Sequence, residues 1–169
     1  MTTITLPQPT GHVNDFDFLF GRWSVANRRL MTRLVGANDW AEFPATAACE
    51  PRLGGGANVD QIDFPTLGFS GLTLRSFDHA RRQWAIWWIN SKSGLLFPPV
   101  HGGFEGLVGD FYGDDEDDGR AVDVRYRWTR ISSDSARWEQ AFRLKGGPTS
   151  TAEADGWETN WVMDCTRIG

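Results

Sequence analysis

The sequence predicts an all-β protein: a single antiparallel up-and-down β-barrel of about ten strands with a short N-terminal helical segment. Three observations predict it. Helix-period patterns are scarce, whereas apolar residues recur with period two over runs of roughly 6 to 10 residues. The composition suits strands, with 13% aromatic residues, led by nine Trp and eleven Phe, and 19 glycines dispersed among turns. Successive late segments pair an aromatic face with a charged one, and such a sheet must pack on a second layer or curl onto itself; with few helices to cover it and edge strands to remove, a barrel is expected over a sandwich.

At 169 residues the chain suits one domain. Residues 1–14 read as an extension and 15–169 as the barrel. Asn14-Asp15 caps a short helical segment through Phe16, Phe18 and Leu19, and a turn or two of helix is expected between Arg33 and Asn38. Strands are expected at Arg22–Thr32, Trp40–Pro51, Ala57–Phe64, Gly71–Asp78 and Gln83–Asn90, then a short one at Leu95–Phe97. Phe104–Tyr112, Ala121–Ile131, Arg137–Leu144 and Trp157–Arg167 complete the set. The joints carry turn chemistry, as at Gly54-Gly55-Gly56, Asp117-Asp118-Gly119 and Lys145-Gly146-Gly147-Pro148.

The late strands alternate most clearly. Val122, Val124, Tyr126 and Trp128 share a face opposite Asp123, Arg125 and Arg127, and Trp138, Gln140 and Phe142 oppose Arg137, Glu139 and Arg143. In the last strand Trp157, Thr159, Trp161 and Met163 are expected on one side. If the aromatic rows face inward, the charged rows form an outer cross-strand ladder. The stretch RRQWAIWWIN is apolar on both sides, with Trp84, Ile86 and Trp88 on one and Ala85, Trp87 and Ile89 on the other. Its outer face therefore needs a cover, from the N-terminal segment or from a second copy in a homodimer.

The segment LFGRWSV places Gly21-x-Trp23 at the head of the first strand, and the chain closes on WVMDCTRIG with Arg167 at the tail of the last. In an up-and-down barrel these two strands are neighbours, so the guanidinium can lie over the indole and close one end. The pair resembles the structural signature of the calycins, the lipocalin and fatty-acid-binding-protein type barrels. The order of motifs from DFDFLFGRW through TLRSFD, RRQWAIWWI and ARWEQAF to WETNWVMDCTR is similar to an uncharacterised bacterial family of calycin-like proteins. The resemblance implies a barrel that encloses small apolar molecules, and it brings no established chemistry with it.

Charge and composition exclude several classes. A net charge of -5 without a long Lys/Arg cluster argues against nucleic acid. No basic leader or long apolar run marks a membrane segment, so a cytoplasmic protein is expected. Cys49 and Cys165 read as reduced thiols facing the interior. The run Asp114 to Gly119 imitates half a calcium loop, but Arg125 stands where the bidentate glutamate belongs, so a solvated hairpin tip is expected. No metal or other cofactor is expected. Nitrobindin, a barrel of similar shape, holds haem through a histidine, but the last strand here offers Trp157, Trp161 and Met163 instead.

What remains is a set of polar residues on or near the aromatic face. Asn27, Arg29, Asn90, Tyr126, Gln140 and Thr159 there suggest ordered water or the polar atoms of a ligand. A small apolar or aromatic molecule held by Arg29, Trp88, Asn90, His101, Tyr126, Gln140, Thr159 and Trp161 is the leading expectation, with Gly21, Trp23 and Arg167 closing the barrel. A cofactor-independent lyase or isomerase for an aromatic or lipid-like acid is the alternative, with Arg29, Glu42, Tyr126 and His101 as candidate groups. A dimerising scaffold with a filled interior is a third.

Overall fold

A computed structural model describes residues 5–146 and 156–169. The strands are β1 (Gly21–Leu30), β2 (Trp40–Arg52), β3 (Ala57–Phe64), β4 (Phe69–Asp78), β5 (Gln83–Asn90), β6 (Val100–Glu105), β7 (Val108–Asp117), β8 (Arg120–Arg130), β9 (Ser135–Leu144) and β10 (Glu158–Arg167). Each pairs antiparallel with its neighbour in sequence, and β1 pairs with β10, which closes the barrel.

Trp23, Val25 and Asn27 of β1 point inward, as do Ile62 and Phe64 of β3, Trp84 and Ile86 of β5, and Val122, Val124 and Trp128 of β8. The outer rows of the late strands carry the ladder Arg127–Asp110, Arg143–Asp123 and Arg137–Asp164 at 2.7, 3.2 and 2.7 Å. No helix among the described residues is long and apolar enough to cross a membrane.

One end of the barrel is plugged. Residues 9–12 run along the start of β5, where Gly11 N–H donates to the Arg82 carbonyl and the Trp84 indole donates to the His12 carbonyl at 3.0 Å. The chain then turns inward, so that Phe16 is fully buried with its ring edge-to-face on Trp84 and Phe104, 5.0 and 5.4 Å between centres. Trp23 donates its indole N–H to the Leu19 carbonyl at 2.9 Å, and Arg167 covers the same indole.

Several elements differ from the sequence expectation. Among the described residues helix is confined to single 3-10 turns, one of them Asp17–Leu19, and near Arg33 the positive φ of Leu34 and Gly36 ends any helix. The expected strand Leu95–Phe97 is only a bridge between Ile89 and Leu96, since Pro98 and Pro99, lacking N–H groups, cannot extend the pairing. The expected strand Phe104–Tyr112 is instead the hairpin of β6 and β7, folded at Gly106 with φ +64. The two differences cancel, so the strand number is unchanged. Part of the turn expected at Lys145, Gly147-Pro148, lies outside the described residues.

The last strand holds a further correction. Its register shifts between Thr159 and Trp161, which marks a β-bulge. Trp161 and Met163 line the interior, but Thr159 pairs opposite the outward Ala141, and Trp157 packs outside beneath the guanidinium groups of Arg125 and Arg143 at 5.1 and 4.5 Å. One extra residue thus reverses the faces of everything before it.

Candidate functional site

Odd-numbered strands run away from the plug, so the ends of β1, β3, β5, β7 and β9 surround the far mouth. Beneath it lies a cavity of about 210 Å³. Its aromatic wall is built by β8, β9 and β10: Tyr126 meets Trp138 edge-to-face at 5.1 Å, and Trp138 meets Trp161 likewise at 5.7 Å. Trp88 of β5 faces them from the other side, over Gly71, where any Cβ would strike its ring.

The polar groups sit at two depths. At the floor, Arg75 of β4 is buried, stacked on Phe16 at 5.1 Å, and donates to Asn58 Oδ1 at 2.8 Å and Asp60 Oδ2 at 3.2 Å. Burial pushes the Asp60 carboxyl up against the opposing pull of Arg75. Among the described residues, Arg75 Nε and Asn58 Nδ2 have no acceptor. Cys49 and Cys165 nearby are free, and burial pushes both thiols up to about 12, which makes them inert as nucleophiles at neutral pH.

Nearer the mouth, Arg29 of β1 lies over the Trp161 ring at 4.4 Å. Burial and the neighbouring Arg33 both lower its pKa. Asp115 of β7 lines the opposite side, its pKa raised by burial above all. Tyr126 is raised too, by burial and then by the Asp115 charge, with Arg75 acting the other way, so its hydroxyl lies within the field of both. The β1–β2 loop, 31–39, crosses the rim as a strap: Arg33 Nε donates to Asp117 at 2.6 Å, Arg120 holds the other Asp117 oxygen at 3.1 Å, and Leu34 N–H donates to Glu158 at 2.6 Å.

Of the residues singled out from sequence, Arg29, Trp88, Tyr126, Gln140 and Trp161 line this one cavity. Four lie elsewhere. Asn90 accepts the Lys92 and Ser93 N–H groups and so caps the turn after β5. His101 pairs opposite Ala85 on the outer face of β6, and Thr159 precedes the bulge. Glu42 is exposed on the outside of β2.

Asp60, Thr73, Arg75 and Asp115 line the cavity without having been singled out. Period two contained the signal. Asp60 is in step with Ile62 and Phe64, Arg75 with Thr73 and Phe77, and Asp115 with Phe111. The acidic run is therefore only partly a solvated tip, since β7 continues to Asp117 and turns Asp115 and Asp117 inward. Among the described residues no three His, Cys, Asp or Glu side chains converge as metal ligands do.

No protein-family model matches the chain, and no curated protein does. Among solved structures it is similar to a redesigned beta barrel, at 10% sequence identity and a TM-score of 0.50, over 95% of this chain and 100% of that one. That likeness concerns the fold alone.

Proposed function

We propose that this barrel is a small-molecule binding protein that encloses a flat, apolar or aromatic ligand. One observation carries the reading: a cavity of about 210 Å³ walled by Trp88, Trp138, Trp161 and Tyr126, into which Arg29 and Asp115 turn without an ion-pair partner among the described residues. A dry cavity of ~150 Å³ already accepts benzene, so this one has room for one substituted ring. No cofactor is invoked. The outward ion-pair rows of β7 to β10 occupy the place of a membrane barrel's apolar band, which supports a water-soluble protein, and the free Cys49 and Cys165 suit the cytoplasm.

Titration of the full chain with 1-naphthol, followed by tryptophan emission, tests the reading. Saturable one-site quenching that is lost in Thr73→Phe, where the new ring fills the cavity, is the expected result. Quenching that never saturates, or that survives the filled variant, contradicts it.

The position of Asp115 near Tyr126 favours a second reading, a cofactor-independent lyase or isomerase. Turnover lost in Asp115→Asn while binding persists would select it. A homodimer belongs to the same proposal. The outer face of β4 and β5 presents Leu72, Leu74, Trp87 and Ile89 without a charged side chain among them, the surface on which two chains of net charge -5 meet with least repulsion. Sedimentation of Leu74→Glu against the parent chain reads it.

A further inference from the structure

Two groups of opposite charge face the cavity from across the lumen, and neither has an ion-pair partner among the described residues. Arg29 touches the Trp161 ring at 4.4 Å, and among the described residues no hydrogen bond or ion pair engages its guanidinium. Among the described residues the only hydrogen bond to the Asp115 carboxylate comes from the Glu116 N–H, to Oδ1 at 2.7 Å, which leaves Oδ2 open. Of the other charged residues of the lining, Asp117 is held by Arg33 and Arg120, Asp60 by Arg75 and Asp114 by Lys145, while Glu116 is exposed.

The topology keeps the two apart. On one side β10, β9 and β8 separate β1 from β7, and on the other side β2 to β6 do. Arg29 and Asp115 both fall within the last turn of pleat before the mouth, so they confront each other across the cavity rather than along a wall. Between them stand Tyr126, Trp138 and Trp161, which offer ring faces and edges to anything that spans the gap.

We infer that the ligand is an aromatic zwitterion: one ring bearing an anionic group for Arg29 and, at its far end, an ammonium group for Asp115. The inference rests on the cavity being a ligand site. A ligand with one charge satisfies one wall and leaves the other charge desolvated without a partner, whereas a zwitterion satisfies both and brings no net charge into the barrel. Like-charged neighbours add to the demand: Arg33 disfavours the charged form of Arg29, partly offset by Asp117, and Asp117 and Glu116 disfavour that of Asp115, partly offset by the Glu116 N–H bond.

Calorimetric titration of the full chain with four para-substituted benzenes tests the inference: para-(aminomethyl)benzoate, para-toluate, para-methylbenzylamine and para-xylene. The zwitterion is expected to bind at least about ten-fold more tightly than either singly charged compound. In Arg29→Met it falls to the level of the benzylamine, in Asp115→Asn to that of the toluate, and para-xylene binds parent and variants alike, which reports an intact cavity. Equal affinity for para-xylene and the zwitterion overturns the inference and leaves the cavity reading standing. Failure of all four compounds to bind overturns both.

Discussion

The guanidinium of Arg167 lies 4.4 Å from the centre of the Trp23 ring while its two terminal nitrogens donate to the Phe20 and Phe18 carbonyls, each at 2.6 Å. One side chain from the last strand thereby closes the first strand, the indole and the N-terminal turn into a single plug. Gly21 makes room for it, for at φ +118 a Cβ there would lie 2.7 Å from an Arg167 nitrogen.

Arg167→Ala removes the stacking and leaves two carbonyls without their donor. A loss of about 2–4 kcal/mol in denaturant unfolding is expected. Arg167→Lys recovers only part of it, because an ammonium cannot lie flat on the ring and reach both carbonyls.

The floor of the cavity behaves differently. Asp60→Ala leaves Arg75 buried and uncompensated, which costs about 3–5 kcal/mol. The double replacement Asp60→Leu with Arg75→Met restores much of that loss, since a packed apolar pair carries no desolvation penalty. Equal stability of the single and double variants in urea would show that the ion pair is not what Asp60 supplies.

Asp115 sets a pH dependence. Its carboxyl is raised by burial, so between the ordinary carboxylate range and its folded value the native state holds more protons than the unfolded one, and stability falls as pH rises through that window. Asp115→Asn is therefore expected to raise the melting midpoint at pH 7, where each kcal/mol is roughly 2–4 °C. Near pH 3 the gain vanishes. A variant that melts lower than the parent at pH 7 would reverse the sign.

The strap over the mouth controls exchange. Arg33→Ala removes the 2.6 Å bond to Asp117 and frees loop 31–39, and ligand association measured by stopped flow should accelerate several-fold with a smaller change in equilibrium affinity. Unchanged rates would place the route of access elsewhere, beside the β5–β6 connection.

The closed barrel was legible in the sequence because period two and paired aromatic and charged faces leave few other ways to bury a sheet. Arg167 and Trp23 were legible because the ends of an up-and-down chain must meet. The bulge at Asn160 was not, for one extra residue leaves the alternation of WETNWVM intact on paper and reverses it in space, which is why Thr159 was expected inside. The inward placement of Arg75 and Asp60 is obscured in the sequence for another reason. Charge in a strand reads as an outer face, and only their phase with Phe77 and Ile62 places them inside.

The central claim, that a ligand enters the barrel, is tested most directly by heteronuclear NMR of the nine indole N–H groups during titration with para-(aminomethyl)benzoate. The account predicts shifts at Trp88, Trp138 and Trp161, which line the cavity, and none at Trp40 and Trp157, which do not. Shifts confined to the outer indoles, with the cavity indoles silent at saturation, would contradict it.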